Sequence, residues 1–233
     1  MKASRLNSIV AFILLSLLFA AVSGAAADKN KQEKGGDKFS IAQIRYGGGG
    51  DWYEDRTSLV RLQQRLQRDL GLTPDPERKI VKIMDEDLFS YPMLYIVGHG
   101  NIVFTPSEVV RLRSYLERGG FLWANDDFGM DAAFRREMRK VLPESAFIEL
   151  PFSHPIYRTP YLFPNGMPKI HEHAGGPPHG YGLFIGRRMV VFYDFNTDIG
   201  DGLEAPEIHK DPPEKQEQAF KMGVNIVYYA LTH

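Results

Sequence analysis

Apolar residues along this chain switch between two periods. From Phe39 to Arg45 they alternate with polar ones, the repeat of a half-buried strand, until Tyr46-Gly-Gly-Gly-Gly50 stops the run. Leu59, Leu62, Leu66 and Leu70 then fall three and four apart, predicting a helix capped by Asp55 and closed by Gly71. Short buried-type strands are predicted at Ile80–Met84, Met93–Val97, Phe121–Ala124 and Ala146–Leu150. Between them lie a helix opened by the capping box Thr105-Pro-Ser-Glu108 and another with Phe134, Met138, Val141 and Leu142 inward. Gly182–Asp194 reads as a hairpin turning at Gly186-Arg187, and Asp211-Pro-Pro-Glu214 opens a final helix. Strands separated by helices of this length imply an α/β fold: a mostly parallel sheet covered on both faces, with a C-terminal hairpin and helix.

The first residues carry a different pattern. Lys2 and Arg5 precede a nearly unbroken apolar stretch, Ile9–Val22, and Ala25-Ala-Ala27 offers a small-residue cleavage site. Residues 1–27 are therefore expected to be an export signal. The stretch is shorter than the ~20 residues a membrane-spanning helix needs, so no stable span is expected after cleavage, and the mature protein is expected to be periplasmic or extracellular. Residues 28–38 are polar and charged and read as a flexible linker, leaving 39–233 as a single domain. The chain has no cysteine, which excludes disulfides, thiolate metal sites and a cysteine nucleophile. A net charge of −1 gives no support to a nucleic-acid partner.

In an open parallel sheet, ligands bind beyond the carboxyl ends of the strands. The residues following the predicted strands include Gly47–Trp52, Asp85-Glu-Asp87, His99, Asn125-Asp126-Asp127, Phe152-Ser153-His154 and Asp194–Asp198, so nearly every polar cluster is expected on one rim. Trp52 and Tyr53 offer flat faces for a ring-bearing ligand, or simply pack. His99, between two glycines, is a candidate for binding or acid–base work. His171 and His173 would share one side of an extended segment and, with His154 or Asp126, could hold zinc. Asp194, Asn196 and Asp198 place oxygens at alternate positions, as calcium sites do. Ile199 and Ala205 stand where a helix–loop–helix calcium loop needs glycine and a bidentate acid. No serine lies in a nucleophile-elbow arrangement.

Four stretches, Ile44–Tyr53, Tyr95–Gly100, Gly119–Gly129 and Asp198–Gly202, resemble the bacterial domain-of-unknown-function family numbered 4159, over about residues 39–231. That resemblance implies a flavodoxin-like three-layer sandwich similar to class I glutamine amidotransferases, and no settled activity. Those enzymes carry a nucleophilic cysteine at a strand–turn–helix; here the comparable turn holds Asn125-Asp126-Asp127, so thioester chemistry is excluded.

Three functions follow as expectations. In the first, the rim binds a polar ligand, a saccharide or other cell-envelope component, around His99, Asp126 and Asp127, with His154 and the His171–His173 loop as a lid. In the second, His171, His173 and a carboxylate serve a metal-dependent hydrolase. In the third, the rim is the interface of an envelope-complex module with a protein partner.

Overall fold

The computed structural model describes residues 38–171 and 173–233; the expected signal and nearly all of the expected linker lie outside them. Side-chain alternation sorts the strands' residues between two cores. In β1 (Ile41–Ile44), Ile41 faces one side of the sheet, and Ala42 and Ile44 face the other. In β3 (Met93–His99), Met93, Tyr95 and Val97 point one way, and Leu94 and Ile96 the other. Both sets are buried because helices cover both faces.

With β2 (Lys79–Val81), β4 (Phe121–Phe128), β5 (Ile148–Glu149), β6 (His179–Ile185) and β7 (Arg188–Phe195), these strands form a seven-stranded sheet in the order β2-β1-β3-β4-β7-β6-β5. Every neighbouring pair from β2 to β7 is parallel, and β6 runs against both of its neighbours. One face carries α2 (Pro106–Glu117) and α3 (Asp131–Val141), through Leu112, Leu116, Phe134 and Met138. The other carries α1 (Ser58–Leu70) and α6 (Pro213–Thr232), through Leu59, Leu62, Leu66, Met222 and Ile226. Two short helices, α4 (Ile199–Leu203) and α5 (Pro206–His209), join β7 to α6. The expected three-layer α/β sandwich with its hairpin and final helix is present. Among the described residues no helix is long and apolar enough to cross a membrane.

Local signals match well where they are short-range. Thr105 accepts from Glu108 N–H while the Glu108 carboxylate accepts from Thr105 N–H, the expected reciprocal cap. The hairpin turns at Gly186-Arg187, between Ile185 and Arg188. Three details differ. β2 stops at Val81, and β5 shrinks to two residues. Asp55 does not cap α1: the cap position is Thr57, and Asp55 sits at φ 56° with its carboxyl buried inside the protein. Asp tolerates that left-handed conformation better than most residues.

Candidate functional site

The loop after β1 is fixed from below by a buried glutamine. Gln43 Nε2 donates to the carbonyls of Trp52 and Glu54 at 2.7 and 3.0 Å, and its Oε1 accepts from Arg78 Nε at 2.8 Å. Held this way, Asp51 reaches the end of β3. Its carboxylate accepts from His99 N–H and lies 3.0 Å from His99 Nδ1, so Nδ1 is the ring nitrogen that Asp51 engages. Gly98 makes the contact feasible: it sits at φ 130°, and a Cβ there would come within 2.8 Å of Asp51 Oδ1. Asp51 and Gly98 thus set the orientation of the His99 ring.

The end of β4 supplies the floor. Asn125 Nδ2 donates to Asp127 Oδ1 at 2.7 Å, and Asn125 Oδ1 accepts from Gly200 N–H at 3.0 Å, tying β4 to α4. Asp126 accepts from Met130 N–H and from Tyr193 OH. Asp127 lies 3.9 Å from His99 Nδ1. Burial raises the pKa of Asp126, and burial with the nearby charges of Asp55 and Asp198 raises that of Asp127 far above the usual carboxylate range.

The segment after β7 supplies the third wall. Asp194 accepts from Trp123 Nε1 at 2.5 Å through one oxygen, while its other oxygen is buried without a partner. Asp55 is similar: Oδ2 accepts from Tyr95 OH at 2.5 Å, and Oδ1 has no partner. Asp198, at φ 59°, accepts from Asp201 N–H at 3.2 Å and lies 2.8 Å from His173 Nε2. Burial pushes Asp198 up to about 8, with Asp55 adding to it, and pushes Asp201 up to about 7, with Asp198 adding to it. Ile170 and His171 donate their N–H groups to Thr197 O, which carries the His171–His173 loop onto this wall.

Ligand atoms of His171, His173 and Asp201 lie within 4.8 Å of one another, a set able to hold a metal ion. His171 Nδ1 is 3.1 Å from Asp211 Oδ1, so its Nε2 is the nitrogen left to bind. The His99 ring meets that of His173 edge-on at 6.1 Å, and the half-exposed Phe128 ring lies tilted against His173 at 5.5 Å. Beside them lies a pocket of about 410 Å³, within the usual range for small-molecule sites. Asp126, Asp127, Asp131 and Asp198 line it with Phe128 and Phe195, and the described lining residues include neither lysine nor arginine.

The rim therefore gathers His99, Asn125, Asp126, Asp127, Asp194 and Asp198 with His171 and His173. Other expected members lie elsewhere or do different work. His154 packs against Tyr229, near the end of α6, while Asp211, which meets the rim, lies just before Pro213 at its start; Pro213 and Tyr229 are 16 residues apart, ~24 Å along the helix. The chain turns back along α6 after β5, so His154 is neither a lid residue nor a ligand here. Trp52 is half-buried under the Arg45 guanidinium at 5.2 Å, and Tyr53 faces Arg56 at 5.9 Å. Neither ring lines the pocket; Phe128, half-exposed, takes the place expected of them. Asn196 lines the pocket, but its Oδ1 accepts from Lys169 Nζ at 2.6 Å and its Nδ2 clamps the carbonyls of Gly175, Gly176 and Pro177. An oxygen already facing an ammonium is a poor calcium ligand, and the alternate-oxygen run is a loop clamp.

Four residues that sequence reasoning does not single out complete the rim: Asp51, Glu204, His209 and Asp211. His209 Nε2 lies 3.0 Å from Glu204 Oε2 and 3.1 Å from Asp201 Oδ1. The available signal for Glu204, His209 and Asp211 was their concentration directly after Asp198-Ile-Gly-Asp-Gly202, and for Asp51 its place directly after the glycine run that ends the first strand.

A family model described as Domain of unknown function (DUF4159) matches residues 40–231. The chain belongs to the DUF4159 family. Among curated proteins none matches it. In this DUF4159 chain three of the four resembling stretches, Ile44–Tyr53, Tyr95–Gly100 and Gly119–Gly129, contain the strands β1, β3 and β4 or their ends. The fourth, Asp198–Gly202, is the segment that closes on them. Gly200 shows how tightly: a Cβ there would lie 1.8 Å from Asp55 Oδ2.

Proposed function

We propose that this rim is a divalent-metal centre that hydrolyses a polar substrate without net negative charge. The observation that carries the reading is the convergence of His171, His173 and Asp201, with Asp211 behind His171. Two imidazoles and a carboxylate suit zinc better than calcium, which prefers oxygen throughout. A bound divalent ion lowers the pKa of water and polarises the oxygen it touches.

The chain's own residues supply the rest. His99, oriented by Asp51 through Nδ1 and with its ring 6.1 Å from that of His173, supplies the imidazole best placed to take or give a proton beside the centre. Phe128 and Phe195 offer apolar surface to a ring, while Asp126 and Asp127 accept hydrogen bonds from hydroxyl or ammonium groups. Four acids and no lysine or arginine on the described walls disfavour phosphate or carboxylate ligands. A saccharide or amino-sugar of the cell envelope fits this chemistry, and the export signal expected in residues 1–27 would deliver the protein to it.

Elemental analysis of untagged protein tests the reading. Zinc should bind at one or more ions per chain, fall by at least one ion with His173→Ala and be kept in full with His154→Ala. Wild-type protein that takes up no zinc, manganese or calcium after reconstitution would falsify it, leaving a rim that binds its ligand directly.

A further inference from the structure

We infer that the centre holds two divalent ions bridged by Asp201. The inference rests on the metal reading above and extends it to two residues that reading leaves idle, His209 and Glu204. The oxygens of Asp201 face different imidazoles: Oδ1 lies 3.1 Å from His209 Nε2, and Oδ2 lies 3.7 Å from His173 Nε2. Each nitrogen also faces a second carboxylate. His173 Nε2 is 2.8 Å from Asp198 Oδ2, and His209 Nε2 is 3.0 Å from Glu204 Oε2.

One imidazole N–H serves one acceptor well, so each ring meets one more carboxylate oxygen than hydrogen bonding uses. An ion satisfies both. Ligand atoms ~2.1 Å from a shared ion, at angles between octahedral and tetrahedral, lie ~3.0–3.4 Å apart. At His209 both separations, 3.0 and 3.1 Å, fall in that range; at His173 the two, 2.8 and 3.7 Å, lie on either side of it.

The carboxylates are also held from their far sides, as ligands usually are. Glu204 Oε1 accepts from Thr57 N–H at 3.1 Å and faces its hydroxyl at 3.3 Å, leaving Oε2 for His209. Asp198 Oδ1 accepts from Asp201 N–H, leaving Oδ2 for His173. Nearby, the buried Asp55 and Asp194 each keep one oxygen unpartnered. The proposed ligand sets are His171, His173, Asp198 Oδ2 and Asp201 Oδ2 for one ion, and His209, Glu204 Oε2 and Asp201 Oδ1 for the other. Paired ions of this kind, ~3.5–4 Å apart, clamp the attacking and leaving oxygens of a displacement.

Calorimetric titration of the untagged, chelator-stripped full chain with zinc, checked by elemental analysis, decides the matter. Two ions per chain are expected, falling to one in His209→Ala and in Glu204→Gln, which keeps the side chain's shape and its contact with Thr57. His154→Ala should keep two. A wild-type stoichiometry of one, or two ions retained in both rim variants, overturns the bridged pair while leaving the metal reading intact. A stoichiometry of zero overturns both.

Discussion

Glu137 and Asp55 are both buried carboxylates, and their surroundings could hardly differ more. Glu137 accepts from Phe104 N–H at 3.0 Å, Arg136 Nε at 2.9 Å and Lys140 Nζ at 2.8 Å, and these partners outweigh burial and lower its pKa. Asp55 has one partner, Tyr95, an orphaned oxygen and a pKa raised by burial and by Asp201. The first is a finished structural joint that locks α3 to the start of α2. The second belongs to a group of acids whose compensation does not come from the protein. Buried charge with all its partners holds a fold together; buried acid lacking them marks a place prepared for something else.

The largest expected effect breaks this contrast from the structural side. Glu137→Leu should cost about 3 kcal/mol in chemical denaturation, the low end for a broken buried ion pair because Lys140 and Arg136 are half-exposed and can rehydrate. Asp194→Asn in chelator-treated protein should cost little or stabilise, since an uncompensated acid is removed. Equal losses would mean that the two kinds of acid are not distinct.

Next in size is Gly200→Ala. The added methyl must displace Asp55 and Tyr95, which overpacking places at about 1–3 kcal/mol. Zinc affinity should fall with it, because Asp201 is the next residue. A variant with reduced stability and unchanged affinity would separate the buried acids from the centre.

The smallest effect is a slope. Unfolded, Asp198 and Asp201 ionise near 3.8; folded without metal they hold their protons to about 8 and about 7. The folded form therefore binds more protons than the unfolded one across that interval, and stability falls as pH rises through it. The denaturation midpoint of chelated protein should drop between pH 5 and 8, by about 1.4 kcal/mol per pH unit at most for each proton. Zinc-saturated protein should lose less. A flat profile without metal would show that these acids are compensated after all.

Much of the scaffold is legible in the sequence because its signals are local. Thr105 and Glu108 cap one another within a single turn, and Gly186-Arg187 turns a hairpin whose strands are adjacent in the chain. The rim is legible in outline, since parallel strands send their following residues to one edge. Its membership is not. Asp55 looks like a helix cap because it precedes an amphipathic run, and only the docking of Gly200, 145 positions later, shows why its carboxyl turns inward. His154 follows β5 as a rim residue should, yet Asn225 binds the carbonyls of Ile156 and Tyr161 and draws the chain back along α6. Trp52 reads as a platform until Arg45 is found over its face.

The contact of Gly200 with Asp55 also sets an order of events during biosynthesis. β1, β3 and β4 emerge early from the ribosome, but every proposed ligand, from His171 to His209, belongs to the last third of the nascent chain. A polypeptide halted before residue 198 would carry the floor of the basin with nothing to shut it. On the metal reading proposed above, cation capture waits for the segment from His171 to His209, and occupancy of the basin reports that this segment has been made and docked.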